Sequence, residues 1–441
     1  MAIPLTEGPV SNRLVKLTLP MVGGIFAIVA FNLADTYYVG QLGTNQLAAM
    51  SFTFPVVMTL GWLAWGLGVG ASSIIARAIG EGDRSRVQRF TTNSLTLGVV
   101  AVALLSTVGL LTIDPLFTAL GAGPEVLPFV RQYMRVWYFG MVFLVIPMVG
   151  NSAIRASGDT GTPSLIMILS SGFNIVLDPL LIFGFAGVPA LGLVGAAWAT
   201  VISRALTLVA SLLVLQFKEH MLSSHLPDLE ETFYCWRDVL PVGLPAAGSN
   251  MITPISIGVV TSLLAPHGPL VVAGFGVASR VESLAMIALI ALSASIGPFV
   301  GQNWGAGKFE RVMQALKQSY LFCLAWGVLL TGVLAISARL IVPLFNTDAE
   351  VVRVATVYLW IVPVSYGTAG MIQVASSAFN ALGKPTPAVI MTVLRMFVLY
   401  IPLAYLGGRL FGPVGIFAAA TIANGIIGIA AYRWSCRIVP S

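Results

Sequence analysis

Charge is scarce in this chain. Of 441 residues only 9% are Asp, Glu, Lys or Arg, where a soluble globular domain carries about a quarter. Cysteine is scarcer still: Cys235, Cys323 and Cys436 are odd in number and far apart. That excludes a disulfide framework and any CxxC redox or zinc motif. The 3 histidines do not cluster, so no metal site is expected. No G-x-x-x-x-G-K-[ST] occurs, because Gly383-Lys384 runs into Pro385; a phosphate loop for ATP is therefore lacking. The glycines of WGLGVGASS (65–73) follow no strand, and close helix packing accounts for them better than a dinucleotide fold. No cofactor is expected, and no enzyme.

What the chain has instead is apolar length. Hydrophobic residues make up 57%. Stretches long enough to cross roughly 30 Å of hydrocarbon number about twelve: 17–39, 46–75, 91–113, 136–154, 163–185, 191–217, 239–264, 270–300, 318–338, 354–379, 387–408 and 412–432. The first is too long for a signal-peptide core, and no small-residue cleavage site follows it. The expected fold is an all-α polytopic membrane protein set in a lipid bilayer. Its net charge of +6 sits mostly in the connections, so topology explains it better than a nucleic-acid partner. About fifteen Lys and Arg, among them Arg13, Lys16, Arg84, Arg86, Arg89, Lys308, Arg311 and Lys384, fall on one side. About five, Arg131, Arg135, Arg339, Arg353 and Arg409, fall on the other. Both termini are thus expected in the cytoplasm.

The segment 218–238 (KEHMLSSHLPDLEETFYCWRD) is the longest cytoplasmic connection and lies at the midpoint. Shifting the chain on itself by 225 residues matches Leu19-Pro20 to Leu244-Pro245, Ala48 to Ala273 and Gly80-x-Gly82 to Gly305-x-Gly307. The same shift takes Tyr133 to Tyr358 and Ala156-x-Gly158 to Ala381-x-Gly383. A small slip then aligns Thr162-Pro163 with Thr386-Pro387, and Gly192-x-x-Gly195 with Gly412-x-x-Gly415. A register held this long predicts two six-helix lobes, an N-lobe at 1–217 and a C-lobe at 239–441, joined by the 218–238 linker. An even number of helices per half makes the repeat parallel, with its pseudo-twofold along the membrane normal.

Ionisable groups at membrane depth mark function by default. Asp35, Asp178 and Glu282 are the acids inside spans; Arg204, Arg280 and Arg395 are the bases. Asp35 lies about five residues, and Asp178 about seven, from the outer ends of their helices, which at 1.5 Å per residue places them at similar height. Asn174 is one turn deeper on the same face as Asp178. The repeat puts Val260 where Asp35 has its counterpart, and Ile401 or Pro402 for Asp178. The acids therefore belong to the N-lobe alone, which favours function over lobe packing. A snorkelling Asp35 and a local kink at Asp178-Pro179 are the plainer alternatives. Two carboxylates close together in low dielectric resist being charged at once, as a proton carrier near neutrality requires. Glu282, two residues after Arg280, reads first as an internal ion pair or hydrogen-bonded packing within the C-lobe, and second as a counter-charge for substrate in a C-lobe cavity. Arg204 and Arg395 read as structural. Prolines stand inside many spans, and Pro20 shares the first with Asp35, so a charge change above can be coupled to a bend below.

Several stretches together resemble the multidrug and toxic compound extrusion (MATE) transporters, along nearly the whole chain. They are ADTYYVGQLG (34–43), ARAIGEGDRSRV (76–87), RASGDTGTPS (155–164), NIVLDPLLIFG (174–184), GLVGAAWATVISR (192–204) and ASRVESLAM (278–286). The sequence is most similar to the NorM- and DinF-like prokaryotic branch, and its N-lobe acids lean towards DinF. The resemblance implies an inner-membrane antiporter that expels cationic, amphipathic drugs in exchange for H⁺ or Na⁺. It implies cation-coupling roles for Asp35, Asn174, Asp178, Thr200 and Tyr133, a hinge at Pro20, and a monomer. Relatives with coupling acids in spans 7 and 10 are not matched here: AAGSNMITPISIG (246–258) and VPVSYGTAGMIQVASS (362–377) carry none. That departure favours H⁺ over Na⁺. A flippase for a lipid-linked precursor and an intramembrane acid-pair hydrolase are the other readings.

Overall fold

The structure is a computed structural model that describes residues 5–438 except 185, 186, 188 and 224–227. Residues 224–227 of the expected linker, and both chain ends, lie outside the described residues. All regular structure among the described residues is helical. The first half comprises α1 (Val10–Gly40), α2 (Thr44–Glu81), α3 (Arg84–Ala119), α4 (Leu127–Gly140), α5 (Val142–Ala156), α6 (Gly161–Pro179) and α7 (Leu193–Leu213). The second comprises α8 (Leu229–Leu264), α9 (Pro269–Ala285), α10 (Ile287–Gly305), α11 (Phe309–Ile341), α12 (Ala349–Ile361), α13 (Tyr366–Ala381), α14 (Thr386–Val393), α15 (Ile401–Phe411) and α16 (Pro413–Ile438). Among the described residues eleven helical stretches are long and apolar enough to cross a membrane, or 12 if α4 and α5, bent by 42°, form one span. The all-α polytopic expectation holds.

Two details differ from the sequence reading. The eighth span is broken at Met286 into α9 and α10. Arg131 and Arg135 are not in a loop but in α4, where Arg131 forks onto both Asp114 oxygens of α3 at 2.9 Å. Long basic side chains reach out from helix ends, so hydropathy alone starts such a helix too late.

Contacts divide the chain into two compact units: Leu19–Ala247, and Leu5–Thr18 with Gly248 onward. The divisions fall inside α1, just before Pro20, and inside α8, away from the 218–238 connection. In the first unit α2 packs on α5 and α3, and α7 on α5 and α6. Small residues set these approaches, since lipid is as apolar as any core and close packing must hold the helices together. A Cβ on Gly66 would lie 2.4 Å from the Gly243 carbonyl oxygen, and one on Gly70 would lie 2.6 Å from that of Val239. In the second unit α13 lies against α10, α11 and α16, and α9 against α12. There the segment before α1 is held by side chains: Arg311 donates to the carbonyls of Leu5 and Gly8 at 3.1 and 2.9 Å. Leu5 N–H donates to Gln302 Oε1 at 3.2 Å.

Backbone conformation bears out the repeat. Gly82 and Gly307 have φ of 80° and 70°, Gly158 and Gly383 97° and 72°, Gly192 and Gly412 57° and 61°. Each aligned glycine therefore ends or begins a helix with the left-handed geometry that other residues resist.

Candidate functional site

Asp35 stands on α1, Asn174 and Asp178 on α6, and Tyr133 on α4, all within the first unit. All four are buried: Asp178 is 0% exposed, Asn174 2%, Tyr133 7% and Asp35 8%. The structure brings Asp35 and Asp178 within each other's field, and the Tyr133 hydroxyl within that of both. Among the described residues no basic side chain lies close enough to act on either acid. Both oxygens of Asp178, both polar atoms of the Asn174 amide and Oδ1 of Asp35 lack a hydrogen-bond partner. An unsatisfied buried polar atom costs about 1–3 kcal/mol, and five gathered in one place mark a candidate polar site. Thr200 is half-buried on α7 and is not hydrogen-bonded to these acids.

The backbone just after Asp178 is irregular. Pro179 supplies no N–H, and the helix opens into a π turn, Leu180–Gly184. Such turns are rare and collect at functional sites. Its carbonyls are taken up from outside the helix: Leu191 N–H donates to Leu181 O, and Gly192 N–H to Ile182 O, both at 3.0 Å. Gly195 makes this approach possible, because a Cβ there would lie 2.2 Å from Leu181 O. The sequence offered Asp178-Pro179 as a kink but gave no sign of the π turn.

Of the two forms that the first reading of Glu282 allowed, the second unit shows hydrogen-bonded packing and not an ion pair. Glu282 makes no ion pair with Arg280, which is exposed; residues two apart point to different sides of a helix. Glu282 Oε2 instead accepts from the Tyr358 hydroxyl at 2.5 Å. Tyr358 is the repeat partner of Tyr133 and is wedged edge-on by Phe275 and Phe417, with ring centroids at 5.7 and 4.9 Å. Arg395, read as structural, lies in the field of Glu282. The match of Tyr133 to Tyr358 was the one signal that could have found this second cluster.

Comparison with known proteins identifies the family. The MatE family model matches residues 20–180 and 245–406, one stretch in each half. The chain belongs to the MatE family. It is a transporter and not an enzyme. It is 38% identical over 434 residues, 98% of this chain and 96% of the other, to a protein of Shewanella oneidensis named "FAD transporter". It is 26% identical over 428 residues, 96% and 93% of the two chains, to the multidrug export protein MepA of Staphylococcus aureus. Among solved structures, a mutant of the Vibrio cholerae MATE transporter VcmN superposes with a TM-score of 0.93 at 30% identity, covering 97% of both chains. A MOP superfamily transporter from Pyrococcus furiosus superposes at 0.89 and 27% identity, covering 99% and 97%. The MatE chain described here is thus a multi-pass membrane transporter of small molecules, and the Asp35–Asp178 site lies within its first matched stretch.

Proposed function

We propose that this MatE protein is a proton-coupled antiporter that exports organic compounds across the inner membrane as a monomer with both termini in the cytoplasm. One observation carries the reading: two buried carboxylates and a buried amide share a site with no base among them and five polar atoms unpaired. In low dielectric two like charges cannot both persist without a cation between them. A proton needs no coordination shell, whereas Na⁺ wants several converging oxygens. On this reading Asp35 and Asp178 exchange the proton, Asn174, Tyr133 and Thr200 shape the site, and Pro20 gives α1 its bend.

For the cargo, cationic amphipathic drugs follow from the likeness to MepA. A flavin nucleotide is the second reading, favoured by the 38% identity to the Shewanella protein and by the half-buried Arg395 in the second unit. Dye efflux from everted vesicles, with pH and Na⁺ gradients imposed separately, tests the coupling. Efflux under the Na⁺ gradient alone sinks the proton reading; competition by FAD or by a cationic drug sorts the cargo.

A further inference from the structure

The second unit carries an acid that proton coupling through Asp35 and Asp178 does not use. Glu282 is in the last turn of α9, just before the break at Met286. Tyr358 and Tyr366 flank the 3₁₀ turn Val362–Ser365 between α12 and α13. Arg395 and Tyr400 belong to the π turn Leu394–Tyr400 between α14 and α15. Five polar side chains thus meet where three membrane helices are interrupted. Irregular backbone at membrane depth survives only where protein buries it or a polar cavity wets it. Interrupted helices are where transporters place their substrates.

The groups are chemically complementary to a particular ligand edge. Tyr366 is 1% exposed, its hydroxyl lies in the field of Glu282, and that hydroxyl has no hydrogen-bond partner. Arg395 also lies in the field of Glu282 and makes no ion pair with it. The cluster therefore offers two donors, Tyr366 and Arg395, and an acceptor, Glu282. Its opposite charges leave little net attraction for a permanent cation. The half-buried Tyr400 ring, in the same field, adds an aromatic face for stacking.

We propose that Glu282, Arg395 and Tyr366 bind the imide-type edge of a planar heteroaromatic ring, an N–H set between two carbonyls. The N–H donates to Glu282, and the two carbonyls accept from Arg395 and Tyr366. This rests on the exporter reading and names a class of cargo for it.

The test is equilibrium binding of riboflavin to the full-length protein in lipid nanodiscs, followed by flavin fluorescence. It uses N3-methylriboflavin and tetraphenylphosphonium as comparisons. Wild type is expected to bind riboflavin saturably and to bind the methylated ring about tenfold or more weakly, as for loss of a hydrogen bond to a charged group. Glu282→Gln and Arg395→Gln should weaken riboflavin binding by a similar factor, and Tyr366→Phe, which keeps the ring, by a few-fold. Gly172→Ala, in the other unit and with nothing within 4 Å of the new Cβ, should bind as wild type does. The proposal is overturned by absence of saturable binding, by indifference to N3-methylation, by an unchanged Kd in Glu282→Gln, or by displacement of riboflavin by tetraphenylphosphonium. No gradient enters this measurement, so its failure leaves proton-coupled export standing, and failure of gradient-driven efflux leaves this binding untouched.

Discussion

Asp178, wholly buried on α6, lies in the field of Asp35 on α1, and no base answers either. Groups acting as one unit respond non-additively to removal. Asp35→Asn and Asp178→Asn are each expected to lower gradient-driven efflux at least about tenfold, and the double variant to be no worse than the single ones. Each should still insert, since a neutral amide relieves charge crowding. Independent, multiplying losses in vesicle efflux would show that the two acids do not share one function.

Gly195 packs against the π turn that follows Asp178. Gly195→Ala should destabilise the protein by roughly 1–3 kcal/mol, as overpacking does, because its Cβ would press on Leu181 O at 2.2 Å. Gly172→Ala, with nothing within 4 Å of the new Cβ, is the matched control and should be neutral or slightly stabilising. Thermal unfolding in detergent compares them.

Just before α6, Asp159 accepts from Lys218 Nζ at 2.6 Å and also bonds Thr162. Burial opposes its ionisation, but the hydrogen bonds from Lys218 and Thr162 prevail and hold its carboxyl below the usual carboxylate value. With a depressed folded value, the contribution is present above about pH 4 and is lost as pH falls through that lower value. Because Lys218 is 55% exposed, solvent limits the gain to about 1 kcal/mol. Asp159→Asn should lower the unfolding temperature at pH 7 and leave it unchanged near pH 2.

Arg311 holds the carbonyls of Leu5 and Gly8 and also donates to Asn303 Oδ1 at 2.9 Å. Charged hydrogen bonds of this kind contribute about 1.5–3 kcal/mol. In Arg311→Ala the amides of residues 5–18 should exchange at least about tenfold faster, with little change at α6. Equal protection in both proteins would show that packing alone holds the segment.

The N-lobe site was legible in the sequence because a helix turns length into depth. Counting residues from two span ends was enough to set Asp35 level with Asp178. Glu282 was not legible in the same way. Its partner, Tyr358, is 76 residues away, and their meeting depends on a helix break at Met286 and a 3₁₀ turn that hydropathy cannot register. Nearness in sequence pointed to Arg280, which the helix turns aside. The repeat was visible through glycines whose φ values no side chain could share, while the division of contacts inside α1 and α8 leaves no mark in composition.

That division has a consequence for how the protein can be built. Each unit borrows a length of helix from the other half of the gene product: Leu5–Thr18 serves the second, and the part of α8 up to Ala247 serves the first. Two fragments severed in the 218–238 connection would each be one piece short, the first without Val239 and Gly243 to close over Gly70 and Gly66. Neither half is a finished module, and the ancestral duplication survives as two parts that complete each other by exchange.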